Sequence, residues 1–328
     1  MESLITKIQS ILIENTKSLE HIQNHQNKIK NKCDNFGKLL DKFNNQIDEF
    51  SKLNLDSLDK FYTNPNIVDI CINDISKIYK WESFDLVIEP SAGNGNFFFK
   101  IPHKNKYGMD ISPDNDEIIK QDFFTYIPTI KGKIMTLGNP PFGRVSSLAV
   151  KFFNHASIWS DVIAFIIPKT FRKISVQNKL NKYFHLILDK DIPVNPCSFT
   201  PKMGVKCCFQ IWQKKIEERS MIILPVEHPD WEFLKLGAKD KNNQPTPPAN
   251  ADFAILAYGG KCGRIQTNNL QTLRPKSWHW IKCNIDKQLL IKRLSKIDFS
   301  NCENTARQNS MGKAELVKLY TNIINSET

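Results

Sequence analysis

Short apolar runs separated by helix-length segments constrain the fold of this chain most strongly. One of them, Val162-Ile163-Ala164-Phe165-Ile166-Ile167, has six consecutive apolar residues. A strand of this kind is buried on both faces, so it belongs in a sheet that is covered by helices on both sides. The sequence therefore predicts an α/β fold with a largely parallel sheet and an antiparallel strand at its edge. The other predicted strands lie at 85–89, 106–110, 118–121, 133–138, 184–188 and 205–212.

The chain divides into three segments by composition. Residues 1–55 are poor in Gly and Pro, and from Ile29 to Phe50 their apolar positions recur every three or four residues. This seam predicts a helical hairpin that packs on the rest of the chain. The alternative is a coiled coil that forms a homodimer or binds a partner. Residues 56–215 carry the α/β pattern, and residues 216–328 form a small, basic α+β extension. Further predicted elements are a helix from Pro65 to about Tyr79, a helix at 146–158, a hairpin at 253–265 and a last helix from about Gly312.

Positive charge is concentrated in the second part of the chain. Residues 1–150 have 18 basic and 19 acidic side chains, whereas residues 151–328 have 27 and 15. A neutral part followed by a basic part indicates a polyanionic partner, and nucleic acid is the expected one. A generally basic composition without such a partner is the alternative.

Composition argues against several other classes of protein. No apolar run approaches the roughly 20 residues that span a bilayer, and the N-terminus lacks the pattern of a secretory signal, so no membrane association is expected. None of the eight cysteines belongs to a Cys-x-x-Cys pair, and we expect no metal site. The sequence predicts a soluble intracellular protein of the cytoplasm or a nuclear-type compartment, with reduced thiols.

A glycine-containing turn follows the first predicted strand, in the segment Val87-Ile88-Glu89-Pro90-Ser91-Ala92-Gly93-Asn94-Gly95-Asn96. Glycines at the carboxyl edge of a parallel sheet let the backbone approach a ligand closely. The acidic Glu89 favours a ligand with a cationic amine over a pyrophosphate, and S-adenosylmethionine carries such an amine beside its sulfonium. A purely structural turn explains the two glycines about as well.

Two further acidic residues follow the next two strands. Asp110 lies 17 residues after Gly93, near the offset of about 20 residues at which an acidic group meets ribose hydroxyls in dinucleotide folds. Asp122 can accept a hydrogen bond from the amine of a ligand adenine, and Phe123 can pack on its ring. Each residue alone is more often a solvated loop residue, but three acids at successive strand ends indicate one ligand site.

The fourth strand ends in Gly138-Asn139-Pro140-Pro141-Phe142-Gly143. The N6 amine of adenine is a poor nucleophile because its lone pair is delocalised into the ring. Two acceptors, the Asn139 side-chain oxygen and the Pro140 carbonyl, favour a pyramidal nitrogen that can attack a methyl group, and the prolines hold both rigidly. Phe142 offers a face on which the target base stacks. A proline-rich turn without a catalytic role is the alternative.

In this order, the four elements resemble those of the gamma-type N6-adenine methyltransferases, with cofactor motifs before an Asn-Pro-Pro-Phe signature. The resemblance covers about residues 58–215. It implies a Rossmann-like methyltransferase sheet, S-adenosylmethionine as the cofactor and a target adenine extruded from nucleic acid. Only eleven residues separate Gly95 from Tyr107, so the first crossover helix is expected to be short or replaced by a turn.

The resemblance also implies roles for residues outside the four elements. The segment Lys60-Phe61-Tyr62-Thr63-Asn64-Pro65 is similar to one in which Thr63 contacts the methionine moiety of the cofactor. The segment 198–205 resembles a loop in which Phe199 stacks on the extruded adenine. Arg144 and Lys169, which follow catalytic elements, are candidate phosphate contacts. The complete predicted cofactor set is Thr63, Glu89, Pro90, Gly93, Asp110, Asp122 and Phe123, and the predicted catalytic set is Asn139, Pro140, Pro141 and Phe142.

Three functions are compatible with these patterns. A DNA N6-adenine methyltransferase is favoured. An RNA N6-adenosine methyltransferase, acting on structured RNA or on a cap-adjacent adenosine, is the first alternative. The third is a nucleic-acid-binding partner subunit without catalytic activity, but such a subunit does not need the complete acidic set and the signature.

Overall fold

The computed structural model describes residues 60–327 together with Gln23, Gln26 and Lys30, which are helical. Apart from these three positions, the predicted helical segment at 1–55, its Ile29–Phe50 seam and any dimerisation through it lie outside the described residues. From Phe61 onward the chain forms one compact unit. No helix in the described part is long and apolar enough to cross a membrane.

Residues 61–214 form a seven-stranded sheet, a two-stranded sheet and the helices that accompany them. In chain order the elements are β1 (Tyr62–Thr63), α1 (Pro65–Ile78), β2 (Leu86–Glu89), β3 (Lys106–Asp110), β4 (Ile119–Lys120), β5 (Ile134–Gly138), α2 (Ser147–Ala156), β6 (Val162–Pro168), α3 (Ile174–Gln177), β7 (Phe184–Asp191), β8 (Phe199–Thr200) and β9 (Cys207–Lys214).

The large sheet has the strand order β4-β3-β2-β5-β6-β9-β7. All neighbouring strands from β4 to β6 are parallel, which confirms the predicted α/β, Rossmann-like sheet. The chain runs outward from β2 to β4 and then continues at β5, on the other side of β2. This reversal creates a topological switch point between β2 and β5, where open α/β sheets bind ligands.

The antiparallel strand does not lie where the sequence predicted it. β9 is inside the sheet, antiparallel to both β6 and β7, and β7 is the edge strand. Hydrophobic burial explains the difference, because six consecutive residues of β9, from Cys207 to Trp212, are buried, whereas β7 is exposed along much of its length.

Helices cover both faces of the large sheet. The helix α1 begins at Pro65 and buries Val68, Cys71 and Ile75 against one face. On the opposite face, the helix α2 buries Phe152 and Phe153 against the strand residues that point to that side. Both helices lie within two residues of their predicted bounds. The crossover from β2 to β3 contains only a 3-10 turn, Phe98–Lys100, as the short spacing predicted.

The C-terminal residues form a second, antiparallel sheet with the strand order β10-β13-β11-β12. Its core includes Trp231, Phe253, Leu290 and Tyr320. The predicted hairpin at 253–265 and the last helix are both present. The elements are β10 (Trp231–Phe233), β11 (Phe253–Leu256), β12 (Ile265–Gln266), β13 (Trp278–Cys283), α4 (Lys287–Leu294) and α5 (Lys313–Glu327).

Candidate active site

The carboxyl ends of β2, β3 and β5 lie together at the switch point. In the strand registers, Glu89 pairs with Gly108 of β3, and Ile88 pairs with Thr136 of β5. Because the three strands are parallel, the residues at their ends reach the same edge of the sheet. The structure therefore places Glu89, Asp110 and the segment that begins at Asn139 at one edge.

The glycine turn is fixed to the end of β3 by backbone hydrogen bonds. The Gly93 N–H donates to Asp110 Oδ2 at 2.9 Å, and the Gly93 carbonyl accepts from the Asp114 N–H at 3.0 Å. Gly93 has φ +52°, and a Cβ atom there would lie 2.9 Å from the Tyr62 ring, whose hydroxyl is hydrogen bonded to Asp114. Only glycine combines this backbone conformation with such a close approach.

Glu89 is buried at the base of this turn, with 2% of its surface exposed. Its Oε2 atom accepts no hydrogen bond within residues 60–327. Burial raises the pKa of the Glu89 carboxyl well above its ordinary value, and the negative charge of Asp110 raises it further, against an opposing hydrogen bond from the Phe98 backbone. An unpartnered carboxylate oxygen at a ligand-binding edge fits a cationic ligand group.

Asn139 is held on two sides, while its side-chain oxygen has no partner among the described residues. Its Nδ2 atom donates to the Phe61 carbonyl at 3.3 Å, and its own carbonyl accepts from Ser91 Oγ at 3.1 Å. The Oδ1 atom is buried and accepts no hydrogen bond in the described part of the chain. Pro140 is buried and Pro141 is exposed, so the turn carries the acceptor on a backbone with two fixed φ angles.

The short strand β1 connects these residues to β8. Thr63 pairs with Phe199, and the Thr63 carbonyl accepts from Asn96 Nδ2 at 2.8 Å. The Thr63 hydroxyl is buried and, like the two oxygens above, has no partner among the described residues. Residues 61–63, 89–96 and 138–139 are thus joined by hydrogen bonds around three buried oxygens without partners. A polar, cationic ligand would supply the donors and the positive charge that these oxygens lack.

Sequence reasoning missed the residues that position this set. Ser91 and Asn96 belong to the glycine turn, and their side chains bond to Asn139 and to Thr63. Phe61 contributes only its carbonyl oxygen. The polar residues Ser91 and Asn96 beside two glycines were a usable signal, whereas a backbone carbonyl leaves no trace in the sequence.

Three aromatic residues were predicted to contact an adenine ring of the cofactor or of the target. Two of them do not expose a ring face. Phe123 is 2% exposed, and its ring stacks on Phe152 with centroids 5.0 Å apart. Phe199 is 3% exposed and belongs to the core that α1 covers. Both rings pack in the core, and their predicted contacts with a ligand ring stay predictions. Phe142 is half-buried and remains available as a ring contact.

The other predicted site residues differ in their exposure and in whether their polar groups already have a partner. Asp122 is exposed after β4, where its Oδ1 atom accepts from the Phe124 N–H at 2.9 Å. Pro90 is buried behind Glu89. Lys169 does not offer a free charge for phosphate, because its ammonium pairs with Asp191 at 2.6 Å. Arg144 is exposed and forms no ion pair with any residue that the structure describes.

A backbone feature distinguishes the segment after the signature. Val145 has φ +51°, which is rare for a β-branched residue, and its side chain is exposed. The next residue, Ser146, also has a positive φ, and its hydroxyl is hydrogen bonded to Thr170. Strained backbone of this kind concentrates at functional sites.

No protein-family model matches the chain, and no curated protein matches it. Among solved structures, a protein from Pyrococcus horikoshii provisionally assigned as an RNA methyltransferase is 14% identical, covering 48% of this chain and 88% of that one at a TM-score of 0.39. The 23S rRNA methyltransferase ErmE is 14% identical over 45% of this chain and 68% of its own, at 0.34. A Listeria monocytogenes protein provisionally assigned as a class I S-adenosylmethionine-dependent methyltransferase is 12% identical over 48% and 62%, at 0.38. Identities and TM-scores this low establish neither a family nor a substrate.

The raised pKa of Glu89 predicts how the stability of the unliganded protein depends on pH. The folded state holds this proton more tightly than the unfolded chain, so the stabilisation is present at low pH and is lost as the pH rises through the folded-state pKa. We expect the Tm to fall over that range and Glu89→Gln, which cannot ionise, to remove this part of the dependence. Thermal denaturation at a series of pH values measures it.

The matched control for this prediction is Glu82→Gln, since Glu82 is exposed. It should keep the pH dependence of the parent protein. An equally steep dependence in Glu89→Gln would show that the buried carboxyl is not its source.

Proposed function

We propose that the protein is an S-adenosylmethionine-dependent methyltransferase that methylates N6 of adenine in nucleic acid, with DNA favoured over RNA. One observation carries the proposal: the Asn139 side-chain oxygen is buried without a partner on a proline-fixed turn, next to the strand end that packs on the buried Glu89 side chain. A structural turn has no need of an unpaired buried acceptor, whereas an incoming amine satisfies it.

The acidic residues at the strand ends supply the binding groups for the cofactor. Glu89 offers its free carboxylate oxygen to the amine, and ionises when a cation neutralises it. Asp110 accepts from the Gly93 and Ser112 N–H groups, and its remaining lone pairs would accept from the ribose hydroxyls of the cofactor. Thr63 would contact the methionine end of the cofactor, and the exposed Asp122 would contact its adenine end. When bound, S-adenosylmethionine supplies an electrophilic methyl group on sulfur.

The signature residues act on the amine of the target base. Asn139 Oδ1 and the Pro140 carbonyl accept its two hydrogens, so that the nitrogen lone pair is directed away from the ring. Because both acceptors are already fixed, they need no reorganisation when charge develops on the nitrogen. Neither acceptor is a base, so the proton that the methylated nitrogen releases passes to solvent.

The charge distribution supports nucleic acid as the substrate. The 27 basic side chains of residues 151–328 exceed the acidic ones by 12, which suits a phosphate backbone. The target base must leave its stack to reach a buried acceptor, and Phe142 provides a ring against which it can rest.

The first prediction of this proposal concerns the acceptor itself. Asn139→Ala removes one fixed acceptor, and we expect kcat to fall by about 100-fold or more. The affinity for S-adenosylmethionine should stay within about twofold, because the cofactor contacts other residues. Steady-state methyl transfer and calorimetric binding measure the two effects, and Asn242→Ala, at an exposed asparagine in a distant loop, is the control. Turnover close to that of the control would remove Asn139 from this role.

The second prediction concerns the cofactor pocket. Asp110→Ala removes a ribose contact and also releases the Gly93 N–H, so we expect the Kd for S-adenosylmethionine to rise about tenfold or more. The exposed Asp116 lies in the same loop region, and Asp116→Ala should leave the Kd unchanged. Calorimetry measures both constants; equal values for the two variants would place Asp110 outside the site.

A further inference from the structure

A loop of the C-terminal region is hydrogen bonded to the residue that precedes β9. The Lys206 N–H donates to the Ala306 carbonyl at 2.8 Å, and Lys206 Nζ donates to Asn309 Oδ1 at 2.9 Å. Lys206 immediately precedes β9, whose first residue pairs with the end of β6. Because β6 lies between β5 and β9, the loop is bonded to the same edge two strands away from the Asn139 turn.

The same loop holds an exposed tyrosine in place. Gly259 donates its N–H to the Asn309 carbonyl at 2.9 Å, and Tyr258 forms a bridge with Ser310. The Tyr258 side chain is 52% exposed, and its ring contacts no other aromatic ring among residues 60–327. Trp231 and Trp280 of the same sheet are each 2% exposed. Tyr258 therefore offers an open ring face on an anchored backbone.

The loop that meets Tyr258 also carries an arginine without an ion pair. Arg307, between the two anchored residues of the loop, is exposed and forms no ion pair with any described residue. The nearby cations of the catalytic part are neutralised instead: Arg172 pairs with Asp189 at 2.6 Å, and Lys173 pairs with Glu315 at 2.8 Å. Arg307 therefore joins Arg144 and Lys202, which are likewise exposed and form no ion pair among the described residues.

We propose that Tyr258 and Arg307 form a binding site for an unpaired nucleotide that flanks the target adenine. This site rests on the proposed function. It adds that the substrate is unpaired next to the target adenine. An open aromatic face stacks on a base, and an adjacent guanidinium neutralises its phosphate, which is how proteins hold single strands. A base inside a duplex has both faces covered by its neighbours, so the ring selects substrates that are unpaired beside the target.

The test compares an adenine-containing single strand with the same sequence in a full duplex. Tyr258→Ala should raise the KM and the Kd for the single strand about five- to 150-fold, as expected for the loss of one stacked base. The kcat at saturation should not change, since the ring does not touch the amine. Tyr258→Trp should retain tight binding. Arg307→Ala should lower the slope of log Kd against the logarithm of the salt concentration by about one, as expected for the loss of one phosphate contact.

Two controls lie at the opposite end of the large sheet. Tyr183→Ala removes an exposed tyrosine before β7, and Lys214→Ala removes an exposed lysine at the end of β9. Both variants should bind the single strand as the parent protein does. Anisotropy with a labelled strand measures Kd independently of methyl transfer.

The outcomes separate the site from the proposed function. If Tyr258→Ala binds and methylates the single strand like the Tyr183→Ala control, the site is refuted and the methyltransferase proposal stands. Equal losses on single strand and duplex refute selection for an unpaired nucleotide. A parent protein that methylates no nucleic acid, although it binds S-adenosylmethionine, refutes both.

Discussion

The hydrogen bond from the Asn139 amide nitrogen to the Phe61 carbonyl decides which end of that side chain is free. An amide presents a donor or an acceptor depending on its rotation, and this bond fixes the acceptor toward the site. Phe61 can make it only because the following residues, Tyr62 and Thr63, pair with β8 and close over the glycine turn. The candidate chemistry thus depends on a short strand outside the main sheet as much as on the signature itself.

The site is assembled at a cost in stability. A carboxylate, a hydroxyl and an amide oxygen are buried without partners around one edge, and each is a group that water or protein normally satisfies. The parallel strands tolerate this because their cores on both faces are closely filled by α1 and α2. A ligand that supplies donors and positive charge recovers the lost interactions, so ligand binding and stability are coupled.

Much of this arrangement could be predicted from the sequence, because parallel strands that are buried on both faces leave continuous apolar runs. The acids at strand ends were predictable for the same reason: parallel strands bring their ends to one edge. The position of β9 was not, since its run predicts burial but not which strands flank it. The burial of Phe123 and Phe199 was not predictable, because an aromatic residue near a ligand motif has the same sequence signal whether its ring faces the ligand or the core. The side chains of Ser91 and Asn96 bond to backbone carbonyls whose positions are set only on folding. Tyr258 and the loop that carries Arg307 come together through the bridge between Tyr258 and Ser310, which lie far apart in the sequence.

The identity of the methylated nucleoside tests the account most directly. The protein is incubated with S-adenosylmethionine labelled in its methyl group and with matched DNA and RNA, which are then digested to nucleosides and separated. The account predicts that the label is found in N6-methylated adenine nucleoside, and that Asn139→Ala abolishes it. Label on another base, or on another atom of adenine, would contradict the assignment of the Asn139 turn to an exocyclic amine.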